Sequence, residues 1–284
     1  MAQLPNFLII GAPKAGSTSL WNELRQHPDV FLTSVKEPNF FCINSANYQD
    51  WSWYTSLFRG GVGKTAIGEA SVAYSLVERN PTTPALIAQH LPNIRLIYIV
   101  RHPLQRIESA WLHHICMRNP IPSDFSQAVR EFRPLIEGTL YSRNLGEYRR
   151  YFADEQILVL FLEDFQANPR QVLERCDRFL GVNPDARISR TATPQNVSAQ
   201  RYIESELLRK LRRLPGAELV GKLTPTILRH LLQKTGTSLP PRPQWDTGTR
   251  QWALEQVGTD AQSILAYAGK PSDFWDFNFW DFNK

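Results

Sequence analysis

Residues 7–24 read FLIIGAPKAGSTSLWNEL, and this stretch decides the fold. FLIIGA (7–12) is a continuous apolar run of strand length, the kind that suits a parallel sheet covered on both faces. A glycine-bearing loop with one lysine follows, and then a helix predicted over 17–26. Ser17, Thr18 and Ser19 are placed to cap that helix, and Leu20 and Leu24 are spaced for one face. A strand, a loop and a helix start aim backbone N–H groups and the positive end of the helix at one point, which favours an anion. Lys14 adds a full charge there, and Ala15, Gly16 and the three hydroxyl residues complete the cradle. Lys14 precedes Gly16 by two residues. In the usual nucleotide-binding loop the lysine directly follows the last glycine.

The pattern repeats along the chain. DVFL (29–32) is a second short strand. LIYIV (96–100) is a buried strand followed by a helix with Pro103 in its first turn. QILVLFLEDF (156–165) is a further strand, and the helix after it stops near Gly181. Strands alternating with helices predict an α/β fold: three layers, α/β/α, around a mostly parallel sheet. From about residue 200 the pattern turns helical, in YIESELLRKLRRL and PTILRHLLQKTG. Arg209, Lys210, Arg212 and Arg213 there read first as a solvated face. Pro240, Pro241 and Pro243 mark an extended connector, and the aromatic tail ILAYAGKPSDFWDFNFW is expected to pack back on the core. The whole, 1–284, reads as one domain, with a nucleotide-binding core over about 7–181 and helical additions over about 200–284.

The 284 residues carry a net charge of +5, mildly favouring anionic ligands or acidic partners. No apolar run reaches the length of a membrane span. The N-terminus reads as a first strand and not as a leader. Three distant cysteines (Cys42, Cys116, Cys176) suggest neither a metal site nor a disulfide framework, so a cytoplasmic location is expected.

The strand LIYIV (96–100) bears on the chemistry. A magnesium-dependent nucleotide hydrolase needs an acidic residue where LIYIV ends. Arg101 stands there instead, and Ser109 follows eight residues on. A cation and a hydroxyl so placed suit another phosphate, held without a metal.

GAPKAGSTSL resembles the 5′-phosphosulfate loop of sulfotransferases that use 3′-phosphoadenosine 5′-phosphosulfate (PAPS). RHPLQRIESAW resembles their 3′-phosphate segment, with Arg101 and Ser109 at the matching positions. HPDVFLTSVKEPNFF (27–41), DWSWYTSLF (50–58), GEASVAYS (68–75) and GTLYSRNLGEY (138–148) resemble the heparan-sulfate-type branch and its bacterial relatives. The resemblance covers about residues 7–181. It implies transfer of a sulfuryl group from PAPS to a hydroxyl of a carbohydrate, lipid or small metabolite, with no metal required. It implies neither a nucleic-acid partner nor an integral membrane segment, and it leaves the oligomeric state open. It places Lys14 at the departing phosphate oxygen and Glu37 as the general base. His113, His114 and Glu69 are rival bases, and an ion pair between Glu37 and Lys36 is the alternative reading of Glu37. Arg190, Asn196 and Arg201 are expected to approach the nucleotide from the C-terminal side. One departure is Ala70, where heparan-type relatives usually carry a lysine. The rival functions are a phosphate-loop kinase or hydrolase and a non-catalytic nucleotide- or glycan-binding protein.

Overall fold

The computed structural model describes residues 4–46, 48, 50–187 and 242–277. In chain order its elements are β1 (Phe7–Gly11), α1 (Ser17–Leu24), β2 (Val30–Leu32), α2 (Trp51–Ser56), β3 (Ala66–Ala70), α3 (Thr83–His90) and β4 (Arg95–Val100). Then come α4 (Pro103–Cys116), α5 (Phe125–Glu131), α6 (Pro134–Glu137), α7 (Tyr141–Arg149), β5 (Ile157–Phe161), α8 (Leu162–Ala167), α9 (Pro169–Leu180) and α10 (Thr247–Tyr267).

The five strands form one sheet in the order β2-β3-β1-β4-β5, and each neighbouring pair is parallel. β1 lies at the centre, pairing Leu8 with Glu69 on one side and with Leu96 on the other. Alternate residues of each strand face opposite layers. Leu8, Ile10, Ile67, Leu96, Tyr98, Val159 and Phe161 pack with Tyr54 of α2, Ile87 of α3, Tyr148 of α7 and Ile264 of α10. Phe7, Ile9, Ala66, Ile97, Ile99 and Leu160 pack on the other face with Leu20 and Leu24 of α1 and Val172 and Cys176 of α9. A third cluster joins α4, α5 and α6 to Ala253 of α10. Covering on both faces is why β1 and β4 read as uninterrupted apolar runs.

The structure amends three expectations. The helix after the loop spans Ser17–Leu24, and Gly16, in the left-handed region with φ 94°, occupies its cap with no capping side chain. β5 stops at Phe161, and LEDF opens α8. AIGEA (66–70) is a strand that the sequence reading passed over. Gly68 interrupts its apolar pattern for a steric reason: a Cβ there would lie 2.6 Å from the Phe7 carbonyl oxygen of the neighbouring strand.

α9 ends as expected, with Gly181 at φ 76°. Up to Phe277 the tail does pack back: Trp275 is buried, its ring centroid 5.5 Å from Phe161 and 6.1 Å from Tyr141. The two basic helices expected between 202 and 236 lie outside the described residues. No helix among the described residues is long and apolar enough to cross a membrane.

Candidate active site

From β1 the chain runs leftward in the sheet to β2 and β3, and then crosses to β4 on the right. The carboxyl ends of β1 and β4 therefore flank the point where the order reverses, the usual ligand crevice of an open α/β sheet. Both segments that the sequence reading assigned to phosphates start there. The loop leaving β1 is fastened to β4 by the Ala12 amide, which donates to the Ile99 carbonyl at 2.7 Å. Lys14 has φ 69° and Gly16 φ 94°. With φ 94° at Gly16, and a Cβ there 2.6 Å from Leu162 Cδ1, the close turn into α1 favours glycine. The first-turn amides of α1 have no intrahelical acceptor and no side chain caps them, so they remain available to an anion.

Arg101 reaches across from the end of β4. Its Nη1 donates to the Lys14 carbonyl at 3.2 Å and its Nη2 to Gln105 Oε1 at 2.7 Å. Its Nε is out of solvent with no hydrogen-bond partner. Burial pulls the guanidinium below its ordinary pKa, against the opposing pull of Tyr141, Glu163 and Glu108. A donor left over in such a place is costly unless something anionic meets it. Around it, the Tyr141 hydroxyl donates to the Arg101 carbonyl at 2.9 Å, and the His102 amide donates to Glu163 Oε1 at 2.7 Å. Ser109 is half-buried on α4. Gln105 and Ser109, four residues apart, lie on one face of α4, the face toward which Arg101 bonds.

Sequence reasoning missed two arginines. Arg106 is buried under the loop. Its Nε donates to the Pro13 carbonyl at 3.1 Å, and its Nη1 to the Leu135 carbonyl at 2.9 Å and Thr139 Oγ1 at 3.3 Å. Gly138 makes room for it, since a Cβ there would fall 2.4 Å from Arg106 Nη2. Arg242 pairs with the buried Glu108 at 3.3 Å and lies within electrostatic reach of Arg101. Trp245 Nε1 donates to the other Glu108 oxygen at 2.8 Å. The sequence signal for Arg242 was only its place beside the prolines of the connector. Arg190, Asn196 and Arg201 lie outside the described residues.

The base candidates divide between two elements. Glu37 forms the ion pair with Lys36, at 2.8 Å, and its amide donates to the Ala70 carbonyl at 2.9 Å. It thus sits at the end of β3, close to Glu69, which is wholly buried. Burial raises the Glu69 carboxyl to about 7, opposed by the Tyr74 phenol and the Ser71 hydroxyl. His113 is exposed on α4. His114 is half-buried against Phe132 and accepts or donates at 2.8 Å to Asn119. Burial lowers its pKa, helped by the cations Arg106, Arg79 and Lys14, so it faces the loop electrostatically.

The family profile described as "Sulfotransferase domain" matches residues 4–213. The bifunctional heparan sulfate N-deacetylase/N-sulfotransferase 2 of Homo sapiens is 27% identical over 209 residues, which is 66% of this chain and 23% of that protein. The heparan sulfate glucosamine 3-O-sulfotransferase 3B1 of Mus musculus is 29% identical over 188 residues, 63% of this chain and 47% of that protein. The chain thus spans less than half the length of these curated relatives. Among solved structures, a sulfotransferase from Alicyclobacillus acidocaldarius superposes with a TM-score of 0.67 at 24% identity, covering 95% of this chain and 97% of that one. Mouse sulfotransferase SULT7A1, complexed with PAP, superposes with a TM-score of 0.50 at 15% identity, covering 92% of this chain and 85% of that one. These structural likenesses are of fold.

Proposed function

Since the chain belongs to the sulfotransferase domain family, we propose that it transfers a sulfuryl group from PAPS to a hydroxyl of an acceptor. The observation that carries this reading is Arg101 bridging to the loop at the Lys14 carbonyl while its buried Nε has no partner. That arrangement suits a donor with two separate phosphate centres, one at the loop and one at the end of β4.

In this reading the first-turn amides of α1 and Lys14 hold the bridging phosphate, where charge accumulates as the sulfur–oxygen bond breaks. Fixed N–H donors and a cation stabilise such charge without reorganising. Arg101 and Ser109, with Arg242 beside them, hold the 3′-phosphate. Glu37 takes the proton that the acceptor hydroxyl loses as its oxygen bonds to sulfur, a role general bases fill by direct contact. Lys36, now paired with Glu37, would have to release it or share it. The family's donor supplies the activated sulfuryl group, and the chain supplies position and charge.

The acceptor is a carbohydrate, a lipid or a small metabolite. Ala70 beside Glu69 removes one cation from its side of the site, which argues against a long polyanionic sugar. We also propose that core and C-terminal helical additions work as one unit, because α10 packs on the same layer as α7.

The test is calorimetry with 3′-phosphoadenosine 5′-phosphate (PAP) in the presence of a chelator. Binding without added metal is expected. Absence of PAP binding, together with tight magnesium-ATP binding, would overturn the reading in favour of a nucleotide kinase or hydrolase. An acceptor screen with labelled PAPS then identifies the second substrate.

A further inference from the structure

We propose that Glu69 is a positioning residue, holding the turn that carries Glu37 by way of the Ser71 hydroxyl. The inference rests on the transfer reading only for its purpose, since Glu37 is the base in that reading. The turn itself is unusual. Glu37 has φ 62° and Asn39 φ 51°, with Pro38 between them. Two non-glycine residues in the left-handed region cost free energy and persist only when their surroundings hold them.

What holds them is the end of β3. The Glu37 amide donates to the Ala70 carbonyl at 2.9 Å, and the Asn39 amide donates to Ser71 Oγ at 2.9 Å. Asn39 Nδ2 closes the turn on the Glu37 carbonyl at 3.0 Å. Ser71 Oγ in turn donates to Glu69 Oε2 at 2.8 Å. A serine has one hydrogen to give. While the carboxylate takes it, an oxygen lone pair is left directed at the Asn39 amide.

Burying a carboxylate to meet a serine and a tyrosine phenol is a poor exchange for stability alone. Glu69 is wholly out of solvent, and its Oε1 has no well-formed hydrogen bond. The groups around it are Tyr54 of α2, Tyr74 in the turn after β3, Tyr148 of α7, Cys42, and the Glu37–Lys36 pair. The phenols and the thiol are neutral near pH 7 at their ordinary values, and burial raises each of them further. Glu69 is then the group of this set whose charge changes near neutrality, at about 7. Protonated, it has a hydrogen of its own to give and no longer commits that of Ser71.

Hydrogen exchange of the Asn39 amide in the full chain, on either side of pH 7, tests this without any acceptor. Corrected for intrinsic exchange, protection of Asn39 should rise with pH through about 7 in the wild type. Glu69→Gln keeps an oxygen for Ser71 and loses the titration, so protection should become flat with pH. Ser71→Ala should lose roughly 2- to 10-fold of that protection at high pH, the worth of one hydrogen bond. PAP binding should be retained in both variants. Unchanged Asn39 protection in Ser71→Ala, or the same pH response in Glu69→Gln as in the wild type, would overturn the proposal. Failure of the wild type to bind PAP would instead sink the transfer reading and leave the positioning role standing.

Discussion

On the transfer reading, Arg101 is the single side chain that would separate this site from other phosphate-loop proteins. PAP and adenosine 5′-phosphate differ by the 3′-phosphate alone, and a charged hydrogen bond contributes about 1.5–3 kcal/mol net. Arg101→Ala should therefore weaken PAP binding roughly 10- to 150-fold while leaving adenosine 5′-phosphate nearly unchanged. Calorimetry with both nucleotides checks this, and equal losses in a folded variant would show that Arg101 does not read the 3′-phosphate. Lys14 and Arg101 could be singled out as candidates in the sequence because a charge just past a buried strand stands out against apolar neighbours. Arg106 was printed in the same quoted motif and passed unremarked. Its meaning depends on carbonyls at Pro13 and Leu135, which only the fold brings to it. Arg242 was hidden by distance, since Glu108 lies far earlier in the chain.

At the scale of elements, β1, β4 and β5 were readable because central parallel strands are apolar throughout. β3 was not, because Gly68 and Glu69 break its pattern: one for lack of room beside Phe7, the other buried as an acid. The end of β5 was misplaced for a different reason. Apolar residues continue from strand into α8, and a short apolar run does not distinguish the two. The elements also show how the loop after β1 is held. α4 supplies Arg106, and the segment from α6 to α7 supplies its remaining acceptors, so the loop is braced from below by a distant part of the chain. Arg106→Met keeps much of the volume and removes the donors, leaving the carbonyls of Pro13 and Leu135 without this partner. A destabilisation of about 1–3 kcal/mol is expected in urea unfolding. PAP affinity should fall as well, although Arg106 has no direct contact with the nucleotide in the proposed pose. Unaltered stability would mean that the brace contributes little.

At the scale of the molecule, the parallel sheet brings the loop after β1 and the end of β4 to one point, and α10 with the residues after it covers the layer beneath. Trp275 contributes most visibly to that cover. Removing a buried tryptophan side chain typically costs about 3–5 kcal/mol. Trp275→Ala should lower the unfolding midpoint accordingly, as measured by denaturant titration, and a change below about 1 kcal/mol would show that the tail is only loosely held. Packing of this tail was anticipated from its aromatic composition, but its place was not, because composition does not say which surface is left uncovered. That place has a consequence for biosynthesis. Trp275 and Phe277 pack against His102, the residue next to Arg101, and Trp275 also meets Tyr141, whose hydroxyl holds the Arg101 carbonyl. A ribosome releases these aromatic residues some 260 positions after the loop that follows β1. A nascent chain therefore displays the loop long before the wall behind Arg101 is closed. A product of interrupted translation that stops short of Trp275 lacks that wall and, on the transfer reading, would hold the proposed donor poorly.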